Sequence, residues 1–337
     1  MSGWYKKSAP LDDIVVSSRI RLARNLSDLP FPRRMSDVQL SELKSKVKTA
    51  ISELDSNEFG VIKFIEMDDV PEIEIKAMVE RHVISPDFST NFSKRAIAIS
   101  EDESISIMIG EEDHLRIQVT CGGMSLDKAY EIADKLDSKL CEKLNFAFDS
   151  ELGFLTECPT NIGTGLRASV MLHLPVVESN GSISEITEAV SKIGLTVRGM
   201  YGEGTKAASA LYQISNQITL GISEQSAVDN LRIITQQIID KEKREREELN
   251  KLELEDIVYR AYGILTNARM LRSEEFMDLI SKIKLGVSMG ILNMENMKPI
   301  QMLIEIQPFM LQRKYGPLSP LERDEKRAKD VRETLFN

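Results

Sequence analysis

The chain has 337 residues, 42% of them hydrophobic, ample for a folded core and long enough for about two domains. A formal charge of −10 speaks against nucleic acid as the main partner, and no stretch approaches the ~18 apolar residues of a membrane span. Cys121, Cys141 and Cys158 show neither disulfide-framework nor zinc-ligand spacing, and MSGWYKKSAPLDD lacks the apolar run of a secretory signal, so a cytoplasmic protein in a reducing compartment is expected.

Residues 11–25, LDDIVVSSRIRLARN, contain an extended segment with Ser17, Arg19 and Arg21 on one parity and Ser18, Ile20 and Leu22 on the other. Two arginines so placed point the same way, about 7 Å apart. That spacing suits polyphosphate oxygens, because each guanidinium is a fixed fork of donors. A charge-blunted edge strand would carry the same pattern. Residues 36–58 read as a helix capped by Ser36, and 59–67 as a strand. Residues 72–83 read as a helix ending in Arg81-His82-Val83, with His82 either a helix-end residue or a stacking partner for a base.

Residues 95–120 read as a β-meander. Its third strand carries Arg116 on the polar parity, just after the acidic turn Glu111-Glu112-Asp113, which is either solvated surface or part of a site. Ser125–Leu144 is an amphipathic helix, and residues 145–156 are extended. They lead into CPTNIGTGLRASVMLHLP, Cys158–Pro175, a flexible Gly-rich turn feeding an alternating strand. Leu166, Ala168, Val170 and Leu172 share its apolar parity; Arg167, Ser169, Met171 and His173 share the other. A helix over 182–194 ends at Gly194, and LTVRGMYGEG then sets Arg198 at a strand end before glycines that permit a hinge or lid. LYQISNQITLG closes the sheet, and Ser223–Asn250 is a helix with a charged, solvated second half.

From about residue 250 strand signals vanish and Met-rich apolar helices follow, predicting a separate helical domain that buries against the first domain or a second copy. Its last helix opens with Ser319-Pro320-Leu321-Glu322, a cap, a first-turn proline and a capping-box glutamate. Arg323 and Arg327 then fall at i and i+4, as a plain charged face or a shared anion site.

Arg19, Arg21, Arg116, Arg167 and Arg198 come from four extended segments, each opposite the apolar parity or at a strand end. If the strands share one sheet, five guanidiniums converge in an acidic chain, and a nucleotide triphosphate is the natural ligand. No GxxxxGK[ST], HRD or DFG pattern is present, against a P-loop or ordinary protein-kinase fold. Phosphoryl transfer needs mostly positioning and charge neutralisation, which arginines with Mg²⁺ supply.

SSRIR, NFSKRAIAIS, GEEDHLRIQ, ECPTNIGTGLRAS and RGMYGEG, in this order over roughly residues 12–245, resemble the phosphagen (guanidino) kinases, above all their bacterial branch acting on protein arginines. The resemblance implies an α+β fold: an antiparallel sheet flanked by helices, with a catalytic domain over 1–248 whose N-terminal helical part (about 1–80) is reduced. An all-α domain over 249–337 would serve dimerisation and phosphoarginine sensing. The implied ATP contacts are Ser17, Ser18, Arg19, Ile20, Arg21, His82, Arg116, Arg167, Ala168, Ser169, Val170, Met171, Arg198, Gly199, Met200, Tyr201, Gly202 and Glu203. Mg²⁺ would be held mainly through phosphates and water, with no protein metal site.

Glu112 matches the carboxylate that grips and helps deprotonate the substrate guanidinium, Cys158 the family's reactive cysteine, and Glu203 a second carboxylate. The chemistry agrees: a guanidinium titrates above ~12, so its nitrogen is a poor nucleophile until a carboxylate orients it and accepts a proton. A Cys158 thiolate beside it would add a second anion. RDEKRA resembles a phosphoarginine-binding motif, with Arg323, Asp324, Arg327 and Ala328 as its contacts. One departure is Met171, where close relatives usually have His.

Relatives acting on free arginine or creatine carry a helical domain before the first arginine motif, which here starts at Ser17, so a protein substrate with an exposed arginine is expected. The resemblance also implies a homodimer, a heat-shock transcriptional repressor as target, a zinc-containing activator, and a Clp protease reading the mark. A kinase of free arginine and a catalytically silent phosphoarginine-binding adaptor are the alternatives.

Overall fold

The computed structural model describes residues 3–199, 208–294 and 298–336. Its elements run β1 (Val15–Arg24), α1 (Asp37–Ser52), α2 (Ser56–Phe59), β2 (Ile62–Glu66), α3 (Glu72–Glu80), α4 (Pro86–Thr90), β3 (Ala96–Ser100), β4 (Ile105–Ile109), β5 (Leu115–Gly122) and α5 (Leu126–Cys141). A short hairpin, β6 (Phe148–Asp149) and β7 (Gly153–Phe154), precedes β8 (Leu166–His173), α6 (Pro175–Ser179), α7 (Ile183–Ser191), β9 (Leu195–Gly199), β10 (Leu211–Asn216) and α8 (Glu224–Glu247). The remainder is helical: α9 (Lys251–Asn267), α10 (Ser273–Ser288), α11 (Pro299–Glu305), α12 (Pro308–Tyr315) and α13 (Pro320–Phe336).

Local chemistry explains the departures from the expected boundaries. The helix over 36–58 is capped by a reciprocal Ser36–Gln39 box but divides, because the Asp55 side chain accepts the Asn57 N–H and starts a new turn. The helix over 72–83 stops at Glu80, since His82 takes a left-handed φ of 60°. Ser125 does not cap α5; its hydroxyl donates to the Gly122 carbonyl instead.

Eight strands form one antiparallel sheet in the order β2-β3-β4-β5-β1-β8-β10-β9. One face is apolar. Ile20, Leu22, Ile107, Ile117, Val119, Ala168, Val170 and Ile214 are buried there against Leu43 and Val47 of α1, Leu136 and Leu140 of α5, and Leu231 of α8. Each Ile, Leu or Val among them contributes about 1.5–3 kcal/mol by leaving water.

The other face is divided. Across β2–β4 it is covered by α3 and α4 through Ile75, Met78 and Phe88 against Ile97, Ile99 and Met108. Where β1 and β10 begin and β8 ends, Val16, Met171 and Leu211 pack with Trp4, Tyr5 and the helices α9–α13. A buried His173 on β8 bonds Ser281 of α10 at 2.8 Å. The arginines lie on the sheet between these two covers.

A carboxylate joins the two covers. Glu80, at the end of α3, accepts the backbone N–H groups of Phe309 (2.9 Å) and Met310 (2.8 Å) in the first turn of α12. Burial pushes its pKa up from 4.5 to about 7, against the pull of those two bonds. Proton binding is therefore tighter in the folded chain than in the unfolded one. The contribution is complete below about pH 4.5 and is lost as pH rises through about 7, at a cost of up to about 3 kcal/mol. Glu80→Gln keeps an acceptor for both N–H groups and cannot ionise. Urea midpoints measured from pH 4.5 to 7.5 should then fall less steeply for the variant than for the parent chain; parallel slopes would refute the assignment.

Candidate active site

Strand register places the five arginines on one face. In the antiparallel pairing of β1 with its neighbours, Arg19 stands opposite Thr120 and Ser169, and Arg21 opposite Gln118 and Arg167. Arg116 on β5 pairs with Ala23, two residues along from Arg21. Arg198 reaches the same face through Gln213, which pairs with Met171. Directly opposed residues share a face of the sheet, so Arg21 and Arg167 are like charges side by side.

Their electrostatics record the crowding. Burial, then Arg116 and Arg167, lower the pKa of Arg19 to about 10. Arg21 is driven well below its ordinary value by burial and by Arg19, Arg116 and Arg167. Among the described residues its buried Nε has no hydrogen-bond partner. The others are braced: Arg19 donates to Gln213 (2.6 Å) and Ser169 (3.4 Å), and Arg167 to Ser215 (3.1 Å). Arg116 pairs with Glu111 at 2.6 Å, and Glu111 in turn accepts from the Ser85 hydroxyl. Four mutually repelling cations and a buried, unpartnered N–H form a cradle that fits a polyphosphate. His82, at its edge, is pushed down to about 4 by burial and by Arg19, which leaves a neutral ring beside the cations.

The turn between β4 and β5 carries the acids. Glu111 is buried, whereas Glu112 is exposed and makes no hydrogen bond or ion pair with the described residues. Asp113, next to it, is buried, and its Oδ1 accepts both the Asn25 side-chain amide (2.6 Å) and the Glu157 backbone N–H (2.8 Å). Asn25 also accepts the His114 N–H at 2.8 Å. His114 Nδ1 accepts the Leu26 N–H, so Nε2 carries the proton and donates to the Pro30 carbonyl at 2.8 Å. This clasp fixes the Glu112 turn against the segment that holds Cys158, whose sulfur lies 3.1 Å from the Thr160 hydroxyl. Sequence reasoning gives Asp113 only as part of the acidic turn and assigns no role to Asn25 or His114; a histidine directly after three acids, at the start of an apolar strand, is the available signal.

Strand alternation divides the expected ATP set between the two faces. The side chains of Ser18, Ile20, Ala168 and Val170 are buried on the opposite face, and the Ser18 hydroxyl donates to the Gly123 carbonyl, so none of these side chains reaches the arginines. Ser17, Ser169 and Met171 share the arginine face. Gly199 ends β9 opposite Tyr212. Met200, Tyr201, Gly202 and Glu203 lie outside the described residues.

The Gly-rich turn has a packing role: a Cβ at Gly163 would sit 2.1 Å from the Thr219 carbonyl oxygen, and one at Gly165 2.7 Å from that of Ala23. Buried Arg24 ties the same turn down, donating to the Thr164 carbonyl and pairing with Asp137 and Glu224.

On α13, Arg327 is buried and already bonded to the Leu271 carbonyl and Asp324, both at 2.6 Å. Ala328 is buried too, and Arg323 is the more accessible of the two arginines. The pair on α13 therefore does not present two equivalent cations.

A sheet of this topology with a basic face is the fold of the enzymes that phosphorylate guanidino groups. A lombricine kinase structure superposes with TM-score 0.61 at 24% identity, over 72% of this chain and 69% of that one. A duplicated taurocyamine kinase from Schistosoma mansoni, with bound transition state analog components, gives 0.62 at 26% identity over 78% and 38%. The chain belongs to the ATP:guanido phosphotransferase family: the model of the family's C-terminal catalytic domain matches residues 42–245. A second model, the protein-arginine kinase McsB C-terminal domain, matches residues 251–337. The protein-arginine kinase of Symbiobacterium thermophilum is 46% identical over 340 residues, covering 99% of this chain and 96% of that protein. That of Bacillus subtilis is 42% identical over 340 residues, covering 99% and 93%.

Proposed function

We propose that this chain is an ATP-dependent protein arginine kinase, moving the γ-phosphoryl group of ATP to the guanidino group of arginines in other proteins. The observation that carries the reading is the cradle: Arg19, Arg21, Arg116 and Arg167 share a single face, where burial and the neighbouring cations lower the pKa of Arg19 and Arg21, a cost that a bound triphosphate removes. The bond from the γ-phosphorus to the β-phosphate oxygen breaks, a bond to a substrate guanidino nitrogen forms, and that nitrogen's proton passes to Glu112. Exposure of Glu112 suits an arginine arriving on another chain. Cys158, next to Glu157, whose N–H is bonded to Asp113 of the same turn, would orient the guanidinium.

ATP would be bound with Mg²⁺, whose charge neutralises developing negative charge on the phosphates. Its ligands would be mainly phosphate oxygens and water. Residues 1–248 form the catalytic part of this reading, and 249–337 the part that senses phosphoarginine, through Arg323, and pairs two chains. A heat-shock repressor as target, a zinc-containing activator, a Clp protease as reader and a cytoplasmic location complete it, on family resemblance. Among the described residues no helix is long and apolar enough to cross a membrane.

The test is incubation of the full chain with ATP, Mg²⁺ and either a basic protein or free arginine, followed by assay for acid-labile N–P product. Label on the protein alone is expected. Label on free arginine alone would make the chain a small-substrate kinase, and no label on either would leave a silent binding protein.

A further inference from the structure

The residue before Cys158 is a glutamate, and an arginine of the chain itself is seated on it. Glu157 accepts the Arg33 guanidinium (Nε–Oε1 3.2 Å) and, at 3.4 Å, the Arg33 backbone N–H. Arg33 belongs to the short 3₁₀ turn Pro32–Arg34, and because Pro32 has no N–H, the Arg33 N–H is the first donor of that turn. Among the described residues the Glu157 carboxylate bonds nothing else. The partners are unequal: the Glu157 side chain is 15% exposed, that of Arg33 81%. A well-covered acceptor thus holds a solvated donor on a long stem. Pairs so open to water contribute little, so a second cation can take the place of Arg33.

We infer that Glu157 is a specificity residue, receiving the side chain of a lysine or arginine next to the target arginine of the protein substrate, and that Arg33 occupies this place until the substrate arrives. The inference rests on the kinase reading above and adds a substrate class to it: arginines with a basic neighbour.

The position of Glu157 sets the range. Its own N–H donates to Asp113 Oδ1 at 2.8 Å, so Glu157 and Glu112, the residue before Asp113, flank the one hydrogen bond that joins their segments. Cys158 has extended dihedrals (φ −89°, ψ 121°), so its side chain and that of Glu157 leave the segment on opposite sides. An extended substrate alternates in the same way, with neighbouring Cα atoms about 3.8 Å apart. An arginine seated at Glu112 and Cys158 therefore turns its neighbour's side chain toward Glu157.

Charge favours a cation there. Asp113 is held above its ordinary range by burial, and Glu157 adds to the push. Of the other acids near this turn, Glu111 is paired with Arg116, and Asp28 with Lys46. A substrate bringing two adjacent cations thus meets two carboxylates open to it: exposed Glu112, and Glu157 once Arg33 yields.

The full chain is assayed with MgATP and three peptides that differ only beside a single arginine: Lys-Arg-Lys, Ala-Arg-Ala and Glu-Arg-Glu in one glycine–serine frame. Phosphoarginine formation gives KM and kcat for each. The lysine-flanked peptide is expected to have a KM about tenfold below the alanine-flanked one at similar kcat, and the glutamate-flanked peptide a KM above both. Glu157→Gln keeps the backbone N–H to Asp113 and should bring the lysine and alanine KM values within about twofold of each other. Arg33→Ala removes the resident cation and should widen their ratio beyond that of the parent chain. The net charge of −10 attracts any basic peptide, and changing it by one leaves that attraction nearly whole. A lysine preference undiminished in Glu157→Gln would therefore overturn the inference, as would equal KM values in the parent chain. The readout is a ratio within one enzyme, so a partly misfolded variant does not imitate the result. No label on any of the three peptides would overturn the kinase reading itself, and this assignment with it.

Discussion

Arg21→Met is expected to stabilise the nucleotide-free protein while making it a poor binder of ATP. Arg21 faces Arg167 directly across β1 and β8, feels Arg19 and Arg116, and buries an Nε that has no partner among the described residues. A buried donor left unsatisfied costs about 1–3 kcal/mol, and like charges opposed on a sheet add to it. Methionine keeps the apolar stem as far as the Nε position and removes both penalties, so urea unfolding should report a gain of about 1–2 kcal/mol. The same change deletes charge-assisted bonds to phosphate worth about 1.5–3 kcal/mol each, so Kd for ATP should rise about a hundredfold. Saturating tripolyphosphate should raise the melting temperature of the parent chain far more than that of the variant. A variant both less stable and equally tight for ATP would show that Arg21 is a structural residue, and the cradle would have to be redrawn.

That trade-off explains what the sequence made legible. Parity along β1, β5 and β8 separates the arginines from the core residues, because side chains alternate regardless of what packs above them. The shared sheet could only be assumed; the crossover that sets β8 beside β1 and β5 on its other side is a tertiary fact. The same alternation, applied residue by residue rather than motif by motif, separates the side chains of Ser18, Ile20, Ala168 and Val170 from the arginine face.

Other features depend on partners distant in the chain. Glu111 is buried because Ser85 and Arg116 close on it, and nothing within the turn distinguishes it from Glu112. Arg327 looks like a surface cation at helical spacing, yet α13 turns it onto the Leu271 carbonyl. Gly163 and Gly165 suggest a flexible anion loop by composition, while their backbones are pressed against Thr219 and Ala23. Trp4 and Ile304 meet across the whole length of the chain, which no periodicity can report.

The two adjacent glutamates give the sharpest test of the chemistry. Glu112→Gln should lower kcat about a hundredfold or more, equivalent to about 2.7 kcal/mol of transition-state stabilisation, because a guanidino nitrogen attacks poorly until a positioned base takes its proton. Since Glu112 is exposed and unbonded among the described residues, melting temperature and ATP affinity should stay near those of the parent chain. Glu111→Gln should behave in the opposite way. Its carboxylate neutralises Arg116 and accepts the Ser85 hydroxyl in a buried setting, and removing one member of such a pair leaves a charge uncompensated at a cost of several kcal/mol. That variant should melt earlier and alter ATP affinity through a displaced Arg116. Steady-state kinetics paired with thermal melts separate the two. If Glu112→Gln turns over within threefold of the parent chain while Glu111→Gln is stable and inactive, the proton acceptor is Glu111, and Arg116 is then its activator rather than a phosphate ligand.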